Sequence, residues 1–275
     1  MKPYNYKKID AFTAGTSPGN PAACIYLDEG QTLTDAQMLA IAKQHKGFVS
    51  EVVYCKERGD SSFEMIYYSS ECEVPFCGHG TIACMAETLK GRQGETIIHT
   101  RRKGSLTVYN RLSEEGAVYI AAPEPVYLEA AVSTEAFFGA NPAGFIDAGN
   151  RTLIVAMGTL AETISLFPNE QALKDFSLTN GIDVILIFCM DTESKTHKAH
   201  TRVFAEKYGY LEDPATGSAS AAFGYYMLKN GLWDGGKIML EQGGRVYNTV
   251  HLCVEGGKLL FGGGTTTRIE GVYYI

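Results

Sequence analysis

The stretch VPFCGHGTIACMAETL, residues 74–89, places a thiol and an imidazole two positions apart, at Cys77 and His79. Both groups can ligate a metal, carry a proton or take part in nucleophilic catalysis. A run of small and apolar residues follows, which predicts a buried helix that starts near Gly80 and ends at Gly91. The stretch is therefore open to four interpretations: a metal site, a reactive thiol, an anion-binding turn, or the start of an ordinary packed helix.

A metal site has little support from the spacing of the ligand-type residues. Cys72, Cys77, His79 and Cys84 follow the pattern C-x4-C-x-H-x4-C, which matches none of the common zinc patterns. Cys84 falls inside the predicted helix, where side-chain packing explains it better than ligation. We therefore predict that the protein uses no metal.

A reactive thiol at Cys77 would need a base and a third group that orients the base. The position at a helix start predicts a lowered pKa for this thiol. His79, however, is so close in sequence that we do not expect it to face Cys77 across a relaxed turn. The chain also has no G-x-S-x-G motif and no G-x-x-x-x-G-K-[ST] phosphate loop.

Two carboxylates are candidates for general acid/base work: Glu51 in FVSEVVY and Asp213 in EDPATGSA. Glu51 lies among apolar residues on a predicted strand. Apolar surroundings disfavour the charged form of a carboxyl group, which suits a group that must accept and return a proton. The alternative is that Glu51 is a surface residue on an edge strand, and the local pattern does not decide between the two.

The elements that must position these residues are organised as two similar halves. In the first half, strand patterns surround an amphipathic helix, for which Thr34 is the predicted N-cap, and the buried helix described above. The prolines at 123 and 125 interrupt the strand pattern and predict the boundary. In the second half Asn141-Pro142-Ala143 echoes Asn20-Pro21-Ala22, and EDPATGSASAAFGYYMLKNG predicts a second buried helix that starts near Ser218.

The two buried helices begin with similar small residues, GHGTIA and ATGSASA. A helix start has unpaired amide groups and a partial positive charge. Small side chains let a ligand approach those amides closely, so two such starts facing each other would hold a carboxylate or a phosphate.

Composition excludes several classes of function. The chain has 275 residues and a net charge of −7, with no basic stripe, which argues against nucleic-acid binding. No run approaches the about 20 apolar residues that a membrane helix needs, and the N-terminus lacks the apolar core of a signal peptide. Seven scattered cysteines without a C-x-x-C pair predict reduced thiols and a cytoplasmic protein.

Five further motifs run along the chain: DAFT…GNPAA, SEVVY, EVPFCGHGT, RVFAEKYGYLEDPATGSASAA and LEQGGR. Together these motifs resemble the PhzF-like phenazine-biosynthesis isomerase family, whose relatives include the diaminopimelate epimerases and proline racemases. The resemblance implies an α/β (α+β) fold of two similar domains, each a mostly antiparallel, barrel-like sheet wrapped around a central helix, with the active site between them. The expected domains are 1–122 and 123–275, with the last strand, about 265–275, returning to the first domain.

The resemblance also implies roles for individual residues. Glu51, His79 and Asp213 are expected to be catalytic. Residues expected to bind substrate or shape the helix starts are Asn20, Gly78, Gly80, Thr81, Thr216, Gly217 and Ser218. The expected activity is a cofactor-independent proton shift in a small, carboxylate-bearing metabolite that resembles an amino acid. A biosynthetic role and a homodimer are further expectations from the family.

The chain departs from this family at Cys77, where many PhzF-like sequences have alanine and the epimerase relatives have a catalytic cysteine. Those epimerases use a second thiol in the other half, whereas EDPATGS offers Asp213 and no cysteine. The departure favours a passive Cys77 beside a catalytic Glu51, and three alternatives to this mechanism stay open. Cys77 could assist Glu51 as an accessory thiol, it could act with Asp213 in a racemase or epimerase, or the protein could bind a small molecule without catalysis.

Overall fold

The computed structural model describes residues 1–208 and 210–275, which form two compact units. The N-terminal unit is Met1–Ala121 together with Gly262–Ile275, and the C-terminal unit is Ala122–Phe261. The division falls next to the prolines that mark the boundary in the sequence. Residues 262–275, which include the last strand, belong to the N-terminal unit.

Strands dominate both units. In the described residues the strands are β1 (Pro3–Ala11), β2 (Asn20–Leu27), β3 (Glu51–Glu57), β4 (Phe63–Ser69), β5 (Glu73–Val74), β6 (Gly94–Thr100), β7 (Gly104–Arg111), β8 (Ala117–Ala121), β9 (Val126–Tyr127), β10 (Pro142–Asp147), β11 (Arg151–Ala156), β12 (Val184–Cys189), β13 (Ala199–Ala205), β14 (Tyr210–Asp213), β15 (Ile238–Gly243), β16 (Tyr247–Glu255), β17 (Lys258–Gly263) and β18 (Thr265–Tyr274). The helices are α1 (Asp35–Gln44), α2 (Gly78–Thr88), α3 (Leu112–Glu115), α4 (Glu135–Phe138), α5 (Leu160–Ser165), α6 (Glu170–Asn180) and α7 (Gly217–Lys229), with a short 3₁₀ helix at Glu206–Tyr208.

The two units use the same order of strand pairing. In the N-terminal unit β1–β2 is antiparallel, β2–β3 parallel, β3–β4 and β4–β5 antiparallel, β4–β6 parallel and β6–β7 antiparallel. In the C-terminal unit β10–β11, β11–β12, β12–β13, β13–β14, β13–β15 and β15–β16 repeat that series with the same orientations. The predicted internal repeat is therefore present at the level of topology.

The echo between two Asn-Pro-Ala sequences does not mark equivalent positions in this repeat. Asn20 opens β2, the second strand of its unit, whereas Pro142 opens β10, which takes the place of β1 in the pairing order. The resemblance between the two tripeptides is thus local, and strand pairing gives the correct alignment of the halves.

A central helix packs inside the sheet of each unit. In the N-terminal unit α2 contacts β1, β2, β3, β8 and β18, and in the C-terminal unit α7 contacts β10, β11, β12 and β16. The residues of α2 from position 79 to position 86 are all buried. A helix that is small and apolar on every side can be surrounded in this way, so the predicted sheet wrapped around a central helix is confirmed.

The amphipathic helices α1 and α6 pack elsewhere, on clusters of apolar side chains that α2 and α7 do not share. Thr34 caps α1 in a reciprocal capping box with Gln37, as its sequence predicts. Helix α1 buries Met38 and Ile41 among tyrosine and aliphatic side chains of β1 to β4. The sheet of the N-terminal unit is therefore covered on both faces.

Candidate functional site

Glu51 is the first residue of β3, an internal strand. It pairs with Ala22 of β2 on one side and with Ser69 of β4 on the other. The side chain is buried, with the whole residue 9% exposed. The alternative of a surface residue on an edge strand is therefore wrong.

Cys77 is the N-cap of α2, and its extended backbone (φ −128°, ψ 108°) turns the side chain back over the first helical turn. Its sulfur accepts the backbone N–H of Gly80 at 3.3 Å. The same orientation places Sγ 3.4 Å from Nδ1 and 3.7 Å from Nε2 of His79. The expectation that these two side chains would not face each other is wrong, because it assumed a relaxed turn in place of an extended cap.

Glu51 completes this cluster from the neighbouring strand. Its Oε2 atom lies 3.2 Å from Nε2 of His79 and 3.8 Å from Sγ of Cys77. All three side chains are buried. The structure thus brings together two of the three predicted catalytic residues and the predicted accessory thiol within the N-terminal unit.

The electrostatics of the cluster follow from burial and from these short contacts. Burial raises the pKa of Cys77, and the nearby His79 only partly offsets this, so the predicted lowering of the thiol pKa is wrong. Burial alone would lower the pKa of His79, but the Cys77 sulfur and the Glu51 carboxylate raise it well above its usual range.

The first turn of α2 is built to fix Cys77. A Cβ atom at Gly80 would lie 2.7 Å from a methyl group of Val53 and 2.9 Å from the Cys77 sulfur, so only glycine fits there. Thr81 donates its hydroxyl to the Cys77 carbonyl at 2.7 Å and lies 2.7 Å from the Tyr67 hydroxyl. Thr81 is fully buried, which favours this structural role over the predicted contact with substrate.

Two further predicted binding residues, Gly78 and Asn20, lie on α2 and on β2, the strand that pairs with β3. Gly78 is the first residue of α2, beside the cluster, and is half-buried. Asn20 is fully buried at the start of β2, two residues before Ala22, which pairs with Glu51. Substrate contacts of Gly78 and Asn20 remain predictions.

The start of α7 in the C-terminal unit resembles the start of α2. Thr216 is its N-cap, with φ −126° and ψ 101°, nearly the conformation of Cys77. Its hydroxyl donates to the carboxylate of Asp213, which is buried at the end of β14. The structural counterpart of Cys77 is therefore Thr216, and Asp213 lies three residues before it.

Gly217 and Ser218 follow as the first two residues of α7. Ser218 is half-buried, and its hydroxyl accepts a hydrogen bond from the Asn150 amide at 2.9 Å. Ser218 corresponds to His79, because each is the second residue after the N-cap of its helix. Val184 corresponds to Glu51, because each is the first residue of its strand, β12 and β3. The acid/base cluster thus belongs to one half of the repeat, while the other half has hydroxyl groups and an aliphatic residue in its place.

Gln242 is a supporting residue that sequence reasoning missed. Its Oε1 accepts the backbone N–H of Thr216 at 2.9 Å, and its Nε2 donates to the Asp213 carbonyl and to the Thr216 hydroxyl, both at 3.0 Å. The side chain is fully buried in β15. Gln242 lies in the LEQGGR motif, which marked the segment, but the sequence did not indicate what this side chain contacts.

The cysteine–histidine pattern C-x4-C-x-H-x4-C does not assemble as one group. Cys72 is exposed in a turn, where its backbone N–H bonds to the Ser69 hydroxyl, and Cys84 is buried in α2. Among the described residues, the group of three whose ligand atoms all lie within 4.8 Å of one another is formed by Glu51, Cys77 and His79. Glu51 was not part of the sequence pattern because it is 26 residues from Cys77 in the chain.

The comparison with known proteins decides the family. Residues 9–259 match the family PhzC-PhzF, described as phenazine biosynthesis-like protein. The chain belongs to this family. The matched segment contains the Glu51, Cys77 and His79 cluster and the Asp213 turn of this PhzF-like protein.

Curated relatives of this PhzF-like protein are named isomerases. An uncharacterized isomerase, YfhB, from Bacillus subtilis is 28% identical over 261 residues, 88% of this chain and 87% of the relative. The trans-2,3-dihydro-3-hydroxyanthranilate isomerase of Pseudomonas chlororaphis is 26% identical over 290 residues, 95% of this chain and 99% of the relative.

Solved structures support the fold of two epimerase-like domains. A PhzF family protein from Bacillus anthracis covers 100% of both chains with a TM-score of 0.84 and 25% identity. A hydroxyproline epimerase from Agrobacterium vitis with bound trans-4-OH-L-proline has a TM-score of 0.66 at 12% identity, covers 99% of this chain and 92% of its own, and shows a shared fold alone. No helix in residues 1–208 and 210–275 has the length and apolarity that would let it cross a membrane.

Proposed function

We propose that this PhzF-like protein is a cofactor-independent isomerase that moves a proton within a small, carboxylate-bearing metabolite, with Glu51 as the acid/base group. The observation that carries the proposal is the buried contact of 3.2 Å between the Glu51 carboxylate and the His79 imidazole. A positioned carboxylate in an environment with little water is the kind of group that transfers protons efficiently. That relatives are named isomerases supports the same class of reaction.

The proposed step uses one base for removal and return of the proton. Glu51 takes a proton from a carbon of the substrate, and the electron pair of the broken C–H bond moves into the adjacent unsaturated system. Glu51 then returns the proton to another carbon of that system, so the product is an isomer. His79, as an imidazolium, orients the carboxylate by its hydrogen bond and stabilises developing negative charge. Cys77 contacts both groups and remains a protonated thiol.

The substrate carboxylate is proposed to bind at helix starts. At α2 the backbone N–H groups of Gly78 and His79 lie in the first turn, where a helix leaves amides unpaired. The start of α7, with Gly217 and Ser218, has the same character. A homodimer and a cytoplasmic location remain predictions from the sequence.

A second candidate is a racemase or epimerase in which Cys77 acts with Asp213. The observation in its favour is the contact of the Cys77 sulfur with both His79 and Glu51. The structure argues against Asp213 as the second acid of such an enzyme. The counterpart of Cys77 is Thr216, and the Asp213 carboxylate accepts a hydrogen bond from the hydroxyl of that threonine. The start of α7 therefore has no thiol that corresponds to Cys77.

A proton-exchange screen tests these functions. The protein is incubated in D₂O with trans-2,3-dihydro-3-hydroxyanthranilate and a panel of cyclic and unsaturated amino acids. The proposal predicts deuterium incorporation together with a change in the position of a double bond, measured by mass spectrometry and NMR. Incorporation with inversion at the α-carbon, detected by chiral chromatography, would favour the racemase. Binding of panel members, observed by calorimetry without any exchange, would indicate a non-catalytic protein.

A further inference from the structure

We infer that Glu51, Cys77 and His79 also form a binding site for one Zn²⁺ ion, which would compete with proton transfer at the same atoms. The inference uses the residues of the proposed active site but does not depend on the reaction proposed for them. It rests on three different ligand atoms that lie close together in the N-terminal unit.

The distances between the three ligand atoms match those around a tetrahedral zinc ion. With Zn–N and Zn–O bonds near 2.1 Å and a Zn–S bond near 2.3 Å, adjacent ligand atoms are separated by about 3.3–3.6 Å. The observed separations are 3.2 Å for Oε2 to Nε2, 3.7 Å for Nε2 to Sγ and 3.8 Å for Oε2 to Sγ. Shifts of a few tenths of an ångström would therefore bring Glu51, His79 and Cys77 onto one ion.

Hydrogen bonds and strand pairing fix the backbone of two of the proposed ligands, Cys77 and Glu51. Cys77 is the N-cap of α2, tied to Gly80 through its sulfur and to Thr81 through its carbonyl. Glu51 belongs to a strand that is paired on both sides. The Cys77 sulfur lies within 3.7 Å of both ring nitrogens of His79, and the nitrogen nearer to Glu51 is Nε2.

The ligand set selects the class of metal. A thiolate with an imidazole and a carboxylate suits zinc and cobalt, whereas magnesium and calcium prefer oxygen ligands throughout. Three protein ligands leave the fourth tetrahedral position for water or a substrate carboxylate. The site would therefore resemble open zinc sites more than closed structural ones.

The test is a titration of the purified, metal-free protein with Co²⁺ and then Zn²⁺. Co²⁺ bound by a thiolate gives a sulfur-to-metal absorption band, and Zn²⁺ should displace Co²⁺ with one ion per chain. Cys77→Ser, His79→Gln and Glu51→Gln should each weaken Zn²⁺ binding by at least about 100-fold in a competition with a chromophoric chelator. Serine is a good N-cap, so Cys77→Ser retains the helix start, and thermal unfolding confirms that each variant is folded.

Cys72→Ala is the matched control, because Cys72 is an exposed thiol outside the cluster and its loss should leave the titration unchanged. The inference is overturned if Co²⁺ gives no thiolate band, or if folded Cys77→Ser binds Zn²⁺ as tightly as the wild-type protein. Zn²⁺ binding is read independently of turnover, so failure of the isomerase proposal would not affect this result. Where exchange activity is found, Zn²⁺ should abolish it, and a chelator should restore it.

Discussion

At the scale of single residues, the first turn of α2 determines how close three titratable groups come to one another. The Cys77 sulfur lies within 4 Å of both Glu51 and His79 because its backbone is extended and the next turn is closely packed. Gly80 is the residue that permits this packing, since a larger side chain would meet both Val53 and the sulfur.

Gly80→Ala should therefore destabilise the protein and move Cys77 away from Glu51. The added methyl group would lie 2.7 Å from Val53 and 2.9 Å from the Cys77 sulfur. Overpacking of this kind costs about 1–3 kcal/mol of the free energy of unfolding, which urea denaturation measures. Gly59→Ala is the control, because a Cβ atom there meets nothing within 4 Å, and we expect a change of less than about 0.5 kcal/mol. Equal effects of the two substitutions would refute the packing argument.

The sequence could predict some of these residues and not others. Glu51 was a sound candidate because a carboxyl among apolar residues is unusual, but its burial depended on which strands flank β3. The contact between Cys77 and His79 could not be predicted, because it depends on the backbone angles of one cap residue. The raised pKa of Cys77 also could not be read from the chain, since helix position and burial act in opposite directions.

At the scale of secondary-structure elements, the start of α7 depends on a neighbouring strand. Gln242 of β15 bonds to the backbone N–H and the hydroxyl of Thr216 and to the carbonyl of Asp213. The hydrogen bond to the Asp213 carbonyl is buried, so water cannot readily replace the amide there if it is removed. Gln242 is therefore expected to hold the Asp213 turn in the conformation seen in the structure.

Gln242→Ala should lower the free energy of unfolding by about 1–3 kcal/mol, because buried polar groups would lose their partners. Gln242→Glu retains an acceptor for the Thr216 N–H but removes both donated hydrogen bonds. If Asp213 contacts substrate, both variants should raise KM in the exchange assay. Denaturation curves that overlay the wild-type curve would show that the hydrogen bonds of Gln242 do not stabilise the fold.

Helix α2 is also tied to the sheet at its other end, by Glu87. Its carboxylate accepts hydrogen bonds from Lys7 of β1 and from Lys90, each at 2.6 Å, and from Thr267 of β18 at 3.3 Å. Burial alone would raise the pKa of Glu87, but the two lysines lower it below its usual range. A group with a lowered folded-state pKa stabilises the protein above its unfolded-state pKa, and this contribution is lost as the pH falls.

Glu87→Gln should therefore cost about 1–3 kcal/mol near neutral pH, and the difference from wild type should shrink as the pH falls below about 4.3. Thermal or urea unfolding across a pH series measures it. Glu57→Gln is the control, because the Glu57–Arg92 pair has side chains 48% and 42% exposed and should contribute less than about 1 kcal/mol. A Glu87 effect that is independent of pH would contradict the assigned charge interaction.

In the molecule as a whole, the two units have the same strand topology but different side chains at corresponding positions. The cluster of Glu51, Cys77 and His79 lies in the N-terminal unit. The repeat was predictable because each half combines an amphipathic helix, buried strands and a helix of small residues. The alignment of the two halves was not predictable. The two similar Asn-Pro-Ala tripeptides suggest one correspondence between the halves, and strand pairing gives a different one. Pairing between distant strands, such as β1 and β18, depends on tertiary structure that local patterns do not describe.

The final strand contributes to the stability of the N-terminal unit. Strand β18 pairs with β1 from Pro3–Tyr274 to Ala11–Thr265. Truncation of residues 265–275 should destabilise that unit by more than the about 1–3 kcal/mol of an ordinary point substitution, because the hydrogen bonds of β1 on that side are lost. Hydrogen exchange should show reduced protection in residues 3–11. Unchanged protection there would contradict the assignment of this strand to the N-terminal unit.

The comparison of Glu51→Gln with Cys77→Ala distinguishes proton transfer by the carboxylate from proton transfer by the thiol. Both variants are assayed, with wild type, for deuterium uptake from D₂O into the most active compound of the exchange screen. Glutamine retains size and hydrogen bonding but carries no titrating proton, so Glu51→Gln should lower kcat by about 10²–10⁴-fold while substrate binding, measured by calorimetry, persists. Cys77→Ala should lower it far less. Near-full activity of Glu51→Gln together with loss of activity in Cys77→Ala would contradict the glutamate mechanism and assign the chemistry to the thiol.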